Sequence, residues 1–253
     1  MSARVAVLVY PGTNSEDETL RILRDVGIHA ELVHWSRAEM VGTYDAFVLP
    51  GGFAYEDRIR AGAVAAHDRL TDGVIQAAQA GKLVLGICNG AQILLEAGLV
   101  PGTGAIRRPT AAFTKNAPLG KFVCKHVSVQ LAIDPSRCAI TAALDRKARI
   151  PAWAAHGEGR LAATDEHLQE IKAGNHIAFV YEDGNPNGSA VDAAALTNRE
   201  GNVLAIMPHP ERDAWTFNHP TSAVGRASFA DAAKALEPSG GSVLFESFAK
   251  ALQ

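Results

Sequence analysis

Lys82-Leu83-Val84-Leu85-Gly86-Ile87-Cys88-Asn89-Gly90-Ala91-Gln92-Ile93-Leu94-Leu95 is the stretch on which the architecture turns. Lys82 to Ile87 is an apolar run of strand length, and a helical pattern begins at Ala91. Cys88 stands at the joint with a glycine two positions to either side. This is the cysteine version of the G-x-S-x-G elbow, a sharp strand-to-helix turn that needs glycines where the backbone crowds together. Working outward, the same plan repeats. Val5–Tyr10 reads as a strand, followed by a helical face of Leu20, Ile22, Leu23 and Val26 that ends at Gly27. Ala30–Trp35 and Ala46–Leu49 are further strands, and Val64–Ala80 reads as one helix closing at Gly81. Nearly all-apolar strands alternating with helices predict an α/β fold, a doubly wound, mostly parallel sheet flanked by helices.

The second half is richer in strands, at Phe122–Ile133, Ile177–Tyr181, Ala193–Thr197 and Asn202–Met207, which extend the same sheet. Residues 1–253 are expected to form a single domain, with an excursion at about 212–241 before a final amphipathic helix over Val243–Leu252. Hydrophobic residues make up 47% and charged residues 20% of the 253, which excludes a disordered or membrane-spanning chain. A net charge of -3 excludes the basic footprint of a dedicated nucleic-acid binder. The first apolar run is too short for a secretory core, and three cysteines in a chain of this size fit a reducing, cytoplasmic setting.

In an open α/β sheet, reacting groups gather at the carboxyl ends of strands. A helix amino terminus beneath Cys88 favours thiolate over thiol, so this cysteine is the candidate nucleophile, although a buried structural cysteine is the ordinary alternative. Cys124 and Cys138 lack such a setting and are read as structural. No Cys/His spacing resembles a zinc site, so no metal is expected. The last core strand runs into Pro208-His209-Pro210-Glu211-Arg212. A Glu211 carboxylate that binds one ring nitrogen of His209 would leave the other facing the sulfur. His29, His34, His67 and His167 are taken as ordinary surface or packing histidines. Pro50-Gly51-Gly52-Phe53 follows the third strand, and the Gly52 and Asn89 amides are the candidate oxyanion holders.

With these residues in place, the chain resembles the class I, triad-type glutamine amidotransferases. More narrowly, it resembles the glutaminase subunits of phosphoribosylformylglycinamidine synthases. The general likeness rests on Gly86-Ile87-Cys88-Asn89-Gly90-Ala91-Gln92 and the His-Pro-Glu. The narrower one rests on Pro50-Gly51-Gly52-Phe53-Ala54-Tyr55, Ala155-His156-Gly157-Glu158-Gly159 and Asn185-Pro186-Asn187-Gly188-Ser189. The resemblance implies a flavodoxin-like fold and attack by Cys88 on the glutamine carboxamide to give a γ-glutamyl thioester. Gln92, Gly157 and Glu158 would then hold the substrate. It also implies transfer of ammonia to a large synthetase subunit, with a small third subunit possible. No G-x-x-x-x-G-K-[ST] loop occurs here, so ATP and Mg are expected on the partner and no cofactor on this chain. Two departures stand out. Glu56 occupies a position where the family has glycine, and the 212–241 segment is long, as if to cover the site or contact the synthetase. The Asn185–Ser189 loop has a plain reading as a polar turn, and only the resemblance gives it an interface role. A stand-alone thiol hydrolase, such as a γ-glutamyl hydrolase or a peptidase-like relative, and a non-catalytic scaffold subunit remain the alternatives.

Overall fold

The structure, a computed structural model, describes residues 3–221 and 232–253. Its strands and helices are β1 (Arg4–Val9), α1 (Glu16–Asp25), β2 (His29–His34), β3 (Ala46–Leu49), α2 (Arg69–Gln79), β4 (Leu83–Ile87) and α3 (Asn89–Glu96). The second half contains β5 (Ala111–Thr114), β6 (Val123–Leu131), β7 (Arg149–His156), β8 (Arg160–Ala163) and α4 (Asp165–Ala173). It continues through β9 (Ile177–Tyr181), β10 (Ala193–Thr197), β11 (Val203–Ile206), α5 (Ala232–Ala235) and α6 (Ser242–Ala251). Nine strands make one sheet in the order β2-β1-β3-β4-β11-β10-β9-β6-β7, while β5 and β8 pair separately. From β2 to β11 all neighbours are parallel, and from β11 to β7 all are antiparallel. The sheet is therefore mixed. The doubly wound plan holds for its first half, and the later strands extend it antiparallel.

β3, β4 and β11 are buried at nearly every residue, as strands covered on both faces must be, and this explains their continuous apolar character. β6 and β7 instead alternate between covered and partly exposed positions. Phe47, Phe179, Phe245 and Phe248 are the largest wholly buried side chains of the sheet and of α6. Each such ring contributes about 1.5–3 kcal/mol by leaving water. Among the described residues, no helix is long and apolar enough to cross a membrane.

One predicted helix is two. Val64–Ala80 breaks at Asp68, whose backbone is extended (ψ 150) and whose carboxylate accepts the Leu70 N–H at 2.7 Å as the cap of α2. A short 3-10 turn over Ala65–His67 precedes it. Four elements, β5, β7, β8 and α4, have no counterpart among the sequence expectations. The start of α4 is marked in the sequence by Thr164, whose side chain accepts the His167 N–H at 3.3 Å. Of the 212–241 excursion, residues 222–231 lie outside the described part. Its two ends are drawn together by a bridge between Trp215 and Pro238.

β4 lies between β3 and β11, all three pointing the same way, with Leu85 opposite Val48 and Ile87 opposite Ile206. The residues that follow these strands therefore emerge side by side along one edge. They are Pro50-Gly51-Gly52, Cys88, and Pro208-His209.

Candidate active site

Cys88 caps α3 in a left-handed conformation (φ 51, ψ -105) that costs a side-chain-bearing residue about 1–2 kcal/mol. Two glycines permit the turn. A Cβ on Gly90 would lie 2.0 Å from the Leu49 carbonyl oxygen, and one on Gly86 would lie 2.8 Å from Gly90 itself. Three backbone bonds hold the elbow down. The Cys88 N–H donates to Ile206 O at 2.8 Å, the Gly90 N–H to Pro50 O at 3.2 Å, and the Gln92 N–H to Cys88 O at 3.0 Å. Cys88 keeps 6% exposure, enough for a reagent to reach it and too little for bulk water to surround it. The unpaired amides of the helix amino terminus aim positive charge at its sulfur.

His209 is 1% exposed and Glu211 wholly buried, and the Nδ1 atom of His209 lies 2.5 Å from Glu211 Oε1. That contact leaves Nε2 as the ring nitrogen available to the sulfur. Burial alone would push the imidazolium pKa down. The charges of Glu211 and Cys88, with their hydrogen bonds to the ring, outweigh it and raise the pKa to about 10. The backbone of His209 is clamped from below by β7, its N–H donating to Trp153 O at 2.8 Å and its carbonyl accepting the Trp153 N–H at 3.1 Å. On the other side, a Cβ at Gly51 would meet His209 Cε1 at 2.5 Å, so the glycine leaves the room that the ring fills. The Cys88 sulfur, whose hydrogen bond runs to Ala155 O at 3.9 Å, lies close enough to the His209 ring to contribute to this shift.

The two candidate oxyanion amides are free to act. Among the described residues, neither the Gly52 N–H nor the Asn89 N–H donates to a protein acceptor. Gly52 takes φ 157, and a Cβ there would lie 2.6 Å from Gly12 O, so this position admits only glycine. The Asn89 side chain knits the surroundings together. It accepts the Ala54 N–H at 2.9 Å and donates to Asp57 Oδ1 at 3.0 Å and to Gln92 Oε1 at 2.9 Å.

Gln92, Gly157 and Glu158 also converge. Gln92 Nε2 donates to the Glu158 carbonyl at 2.6 Å, and Glu158 Oε2 accepts the Ala61 N–H at 3.1 Å. The Gln92 carboxamide is thus engaged by protein at both ends, and it braces the 157–158 loop against α3. A Cβ on Gly157 would meet only the Phe122 ring, at 3.8 Å, and the Gly157 carbonyl accepts the Asn116 N–H at 2.9 Å.

Several residues not named as site residues in the sequence lie around these groups. Asn116 is buried, donating to His156 O at 2.8 Å and accepting the Gly159 N–H at 2.9 Å. Asn187, also buried, donates to Gly159 O at 2.8 Å and to the Tyr181 hydroxyl at 3.3 Å. The Asn185–Ser189 loop is therefore more than a polar turn, since it buttresses the 156–159 loop from behind. Burial, aided by the charge of His209, lowers the His156 pKa to about 4 and keeps that ring neutral. Asp57 is pushed up to about 6 by burial and, against the Asn89 hydrogen bond, by the charge of Glu158. Tyr55, Glu56 and Asp57 are consecutively left-handed (φ 56, 60 and 49), which explains why glycine suits position 56 and what Glu56 costs there. Only the loop motifs themselves could have flagged these residues, because their partners are far away in sequence.

A match to the CobB/CobQ-like glutamine amidotransferase domain family runs over residues 2–247. Among solved structures, the chain is similar to one described as PurLQS from Thermotoga maritima, with 30% identity and a TM-score of 0.79 over 100% of both chains. It is also similar to a glutamine amidotransferase from Thermotoga maritima at 16% identity and a TM-score of 0.53, covering 100% of this chain and 95% of that one. The second likeness is one of fold.

Proposed function

Since this chain belongs to the CobB/CobQ-like glutamine amidotransferase family and is a glutaminase, we propose that Cys88, His209 and Glu211 carry its chemistry. It serves as the glutaminase subunit of a phosphoribosylformylglycinamidine synthase in purine biosynthesis. The Cys88 sulfur attacks the carboxamide carbon of glutamine, and the oxygen that becomes negative is held by the Gly52 and Asn89 amides. His209 gives its proton to the departing nitrogen, ammonia leaves, and a γ-glutamyl thioester remains on Cys88. Water then adds to the thioester carbon, giving its proton to His209. Collapse returns the thiol and releases glutamate. Glu211 keeps the imidazole in the productive orientation and stabilises its charged form. Gln92 and the 157–158 loop line the pocket for the amino-acid end of glutamine.

Ammonia passes to a large synthetase subunit that binds ATP and Mg and converts formylglycinamide ribonucleotide to the amidine. A small third subunit joins the assembly, and the described ends of the excursion, residues 212–221 and 232–241, cover the site or contact the synthetase. The whole chain acts as one amidotransferase domain. Three free cysteines, one of them exposed, suit a reducing cytoplasm.

The observation that carries this reading is the left-handed Cys88 at a helix amino terminus, on the strand beside the one that delivers a buried His209–Glu211 pair. A glutamine-like diazo ketone tests it. Mass spectrometry should place the label on Cys88, and Cys88→Ala should abolish glutamine hydrolysis. Label on another residue, or activity surviving in the variant, contradicts it. Hydrolysis should also be slow alone and rise sharply with the synthetase. Full activity without a partner would favour the stand-alone hydrolase.

A further inference from the structure

His126, Asp213 and His219 each present one ligand atom, and these atoms lie within 4.8 Å of one another. His126 comes from β6, while Asp213 and His219 come from two successive turns at the start of the 212–241 segment. Asp213 is wholly buried. One of its oxygens meets His126 Nε2 at 2.6 Å, and the other accepts the Ser239 hydroxyl at 2.8 Å. The rings of His126 and His219 stand edge to face, 5.0 Å apart at 75°, and Trp153 walls the other side of His126 at 5.3 Å.

A His126–Asp213 ion pair by itself would need only those two residues. The second imidazole, that of His219, meets the Thr221 hydroxyl through Nδ1 at 2.8 Å, which leaves Nε2 as its ligand atom, and that nitrogen is what the simpler reading leaves without a purpose. Two imidazoles and one carboxylate are a nitrogen-rich donor set, suited to zinc, cobalt or nickel and poorly suited to magnesium or calcium. A carboxylate ligand held from behind by a hydroxyl, in a site walled by an aromatic ring, is the outer-shell arrangement that such ions use. We infer that His126, Asp213 and His219 bind a divalent cation of the zinc class. On binding, one nitrogen–metal bond forms at each imidazole and one oxygen–metal bond at Asp213. The proton between His126 Nε2 and Asp213 is displaced from that nitrogen, the coordinated ring keeping its single proton on Nδ1, and water completes the coordination.

The position gives the ion a task. Asp213 lies two residues beyond Glu211. Trp153, which faces His126 across the β6–β7 register, bonds the backbone of His209. The ion therefore pins the beginning of the 212–241 segment to the sheet, directly behind the turn that carries the catalytic pair. The expectation of no metal rests on cysteine and histidine spacing. These ligands are 87 residues and six residues apart in sequence, which no short motif registers.

The test uses the full chain, stripped with chelator, in a Cys88→Ala background that removes the catalytic thiol. Zinc is titrated calorimetrically, and cobalt by absorption. The expected result is a single equivalent bound without a sulfur-to-cobalt charge-transfer band. Affinity should fall about tenfold or more in His219→Ala and in His126→Gln. His219 is only half-buried, so metal-free melting of that variant should match the parent and exclude misfolding. No binding to the parent, a smaller loss of affinity in both variants, or a charge-transfer band marking thiolate ligation would each overturn the inference.

Discussion

Replacing Gly51 by alanine tests how finely the His209 ring, the proposed proton carrier, is placed. The added Cβ would sit 2.5 Å from His209 Cε1 and 3.1 Å from Ser15 Oγ, and the backbone of Gly51 is outside the left-handed region, so alanine fits the chain and collides only with side chains. Ordinary contact between carbons needs about 3.5 Å, so the imidazole must retreat by about 1 Å. It has little freedom to do so, because Nδ1 is held 2.5 Å from a buried Glu211 and the backbone is paired with Trp153. A 1 Å misplacement of a reacting group costs about a hundredfold in rate, or about 2.7 kcal/mol of barrier. Overpacking the site costs about 1–3 kcal/mol of stability. Glutamine hydrolysis, the rate of diazo ketone labelling at Cys88, and thermal melting should therefore separate. Both rates should fall by about two orders of magnitude while the protein stays folded. Gly42→Ala is the control, since nothing lies within 4 Å of its added Cβ. A Gly51→Ala enzyme that hydrolyses glutamine at close to the parent rate would refute the placement of His209 against this glycine.

His156 sets a pH dependence of stability. Its folded pKa of about 4 lies below the ordinary histidine value, so the unfolded chain takes up the proton first. The contribution is present above pH 6.5 and lost as pH falls towards 4, about 3 kcal/mol in all, and urea unfolding of His156→Asn should show a flatter slope in that window. His209 runs the other way. Its folded pKa is raised to about 10, so its stabilisation is full below the unfolded value and fades as pH rises through 10. Glu56→Gly relieves a left-handed residue at φ 60 and should raise stability by about 1 kcal/mol, because the exposed Arg58 pairing it gives up is worth little. A lower melting temperature would show that the loop is not strained there. Asn187→Ala removes the buried donor to Gly159 O and should cost about 1–3 kcal/mol in chemical denaturation. Because it loosens the 156–159 loop, KM for glutamine should rise more than kcat falls, and an unchanged KM would argue against the buttress.

Much of the candidate site was legible because its signals are local. The glycines around Cys88 are dictated by crowding between atoms a few residues away along the same turn, and the His-Pro-Glu pairing spans two residues. Continuous apolar runs marked β3, β4 and β11 for the same reason, since a strand covered on both faces has no polar side to show. By contrast, β7 alternates in burial and carries Pro151, and Asp68 splits the α2 region because a side-chain cap competed successfully with helix continuation.

The amino-acid sequence by itself singled out the candidate reacting groups and placed them after strands, because nearest-neighbour sterics settle such matters. The tertiary structure alone decided that β11 lies beside β4, which brings His209 to Cys88 across more than a hundred intervening residues. It also decided that Asn187, Asn116 and Gln92 brace one loop, and that His126, Asp213 and His219 meet. Strand order and long-range hydrogen bonds follow from the packing of the whole sheet, and no short window of residues contains that energy.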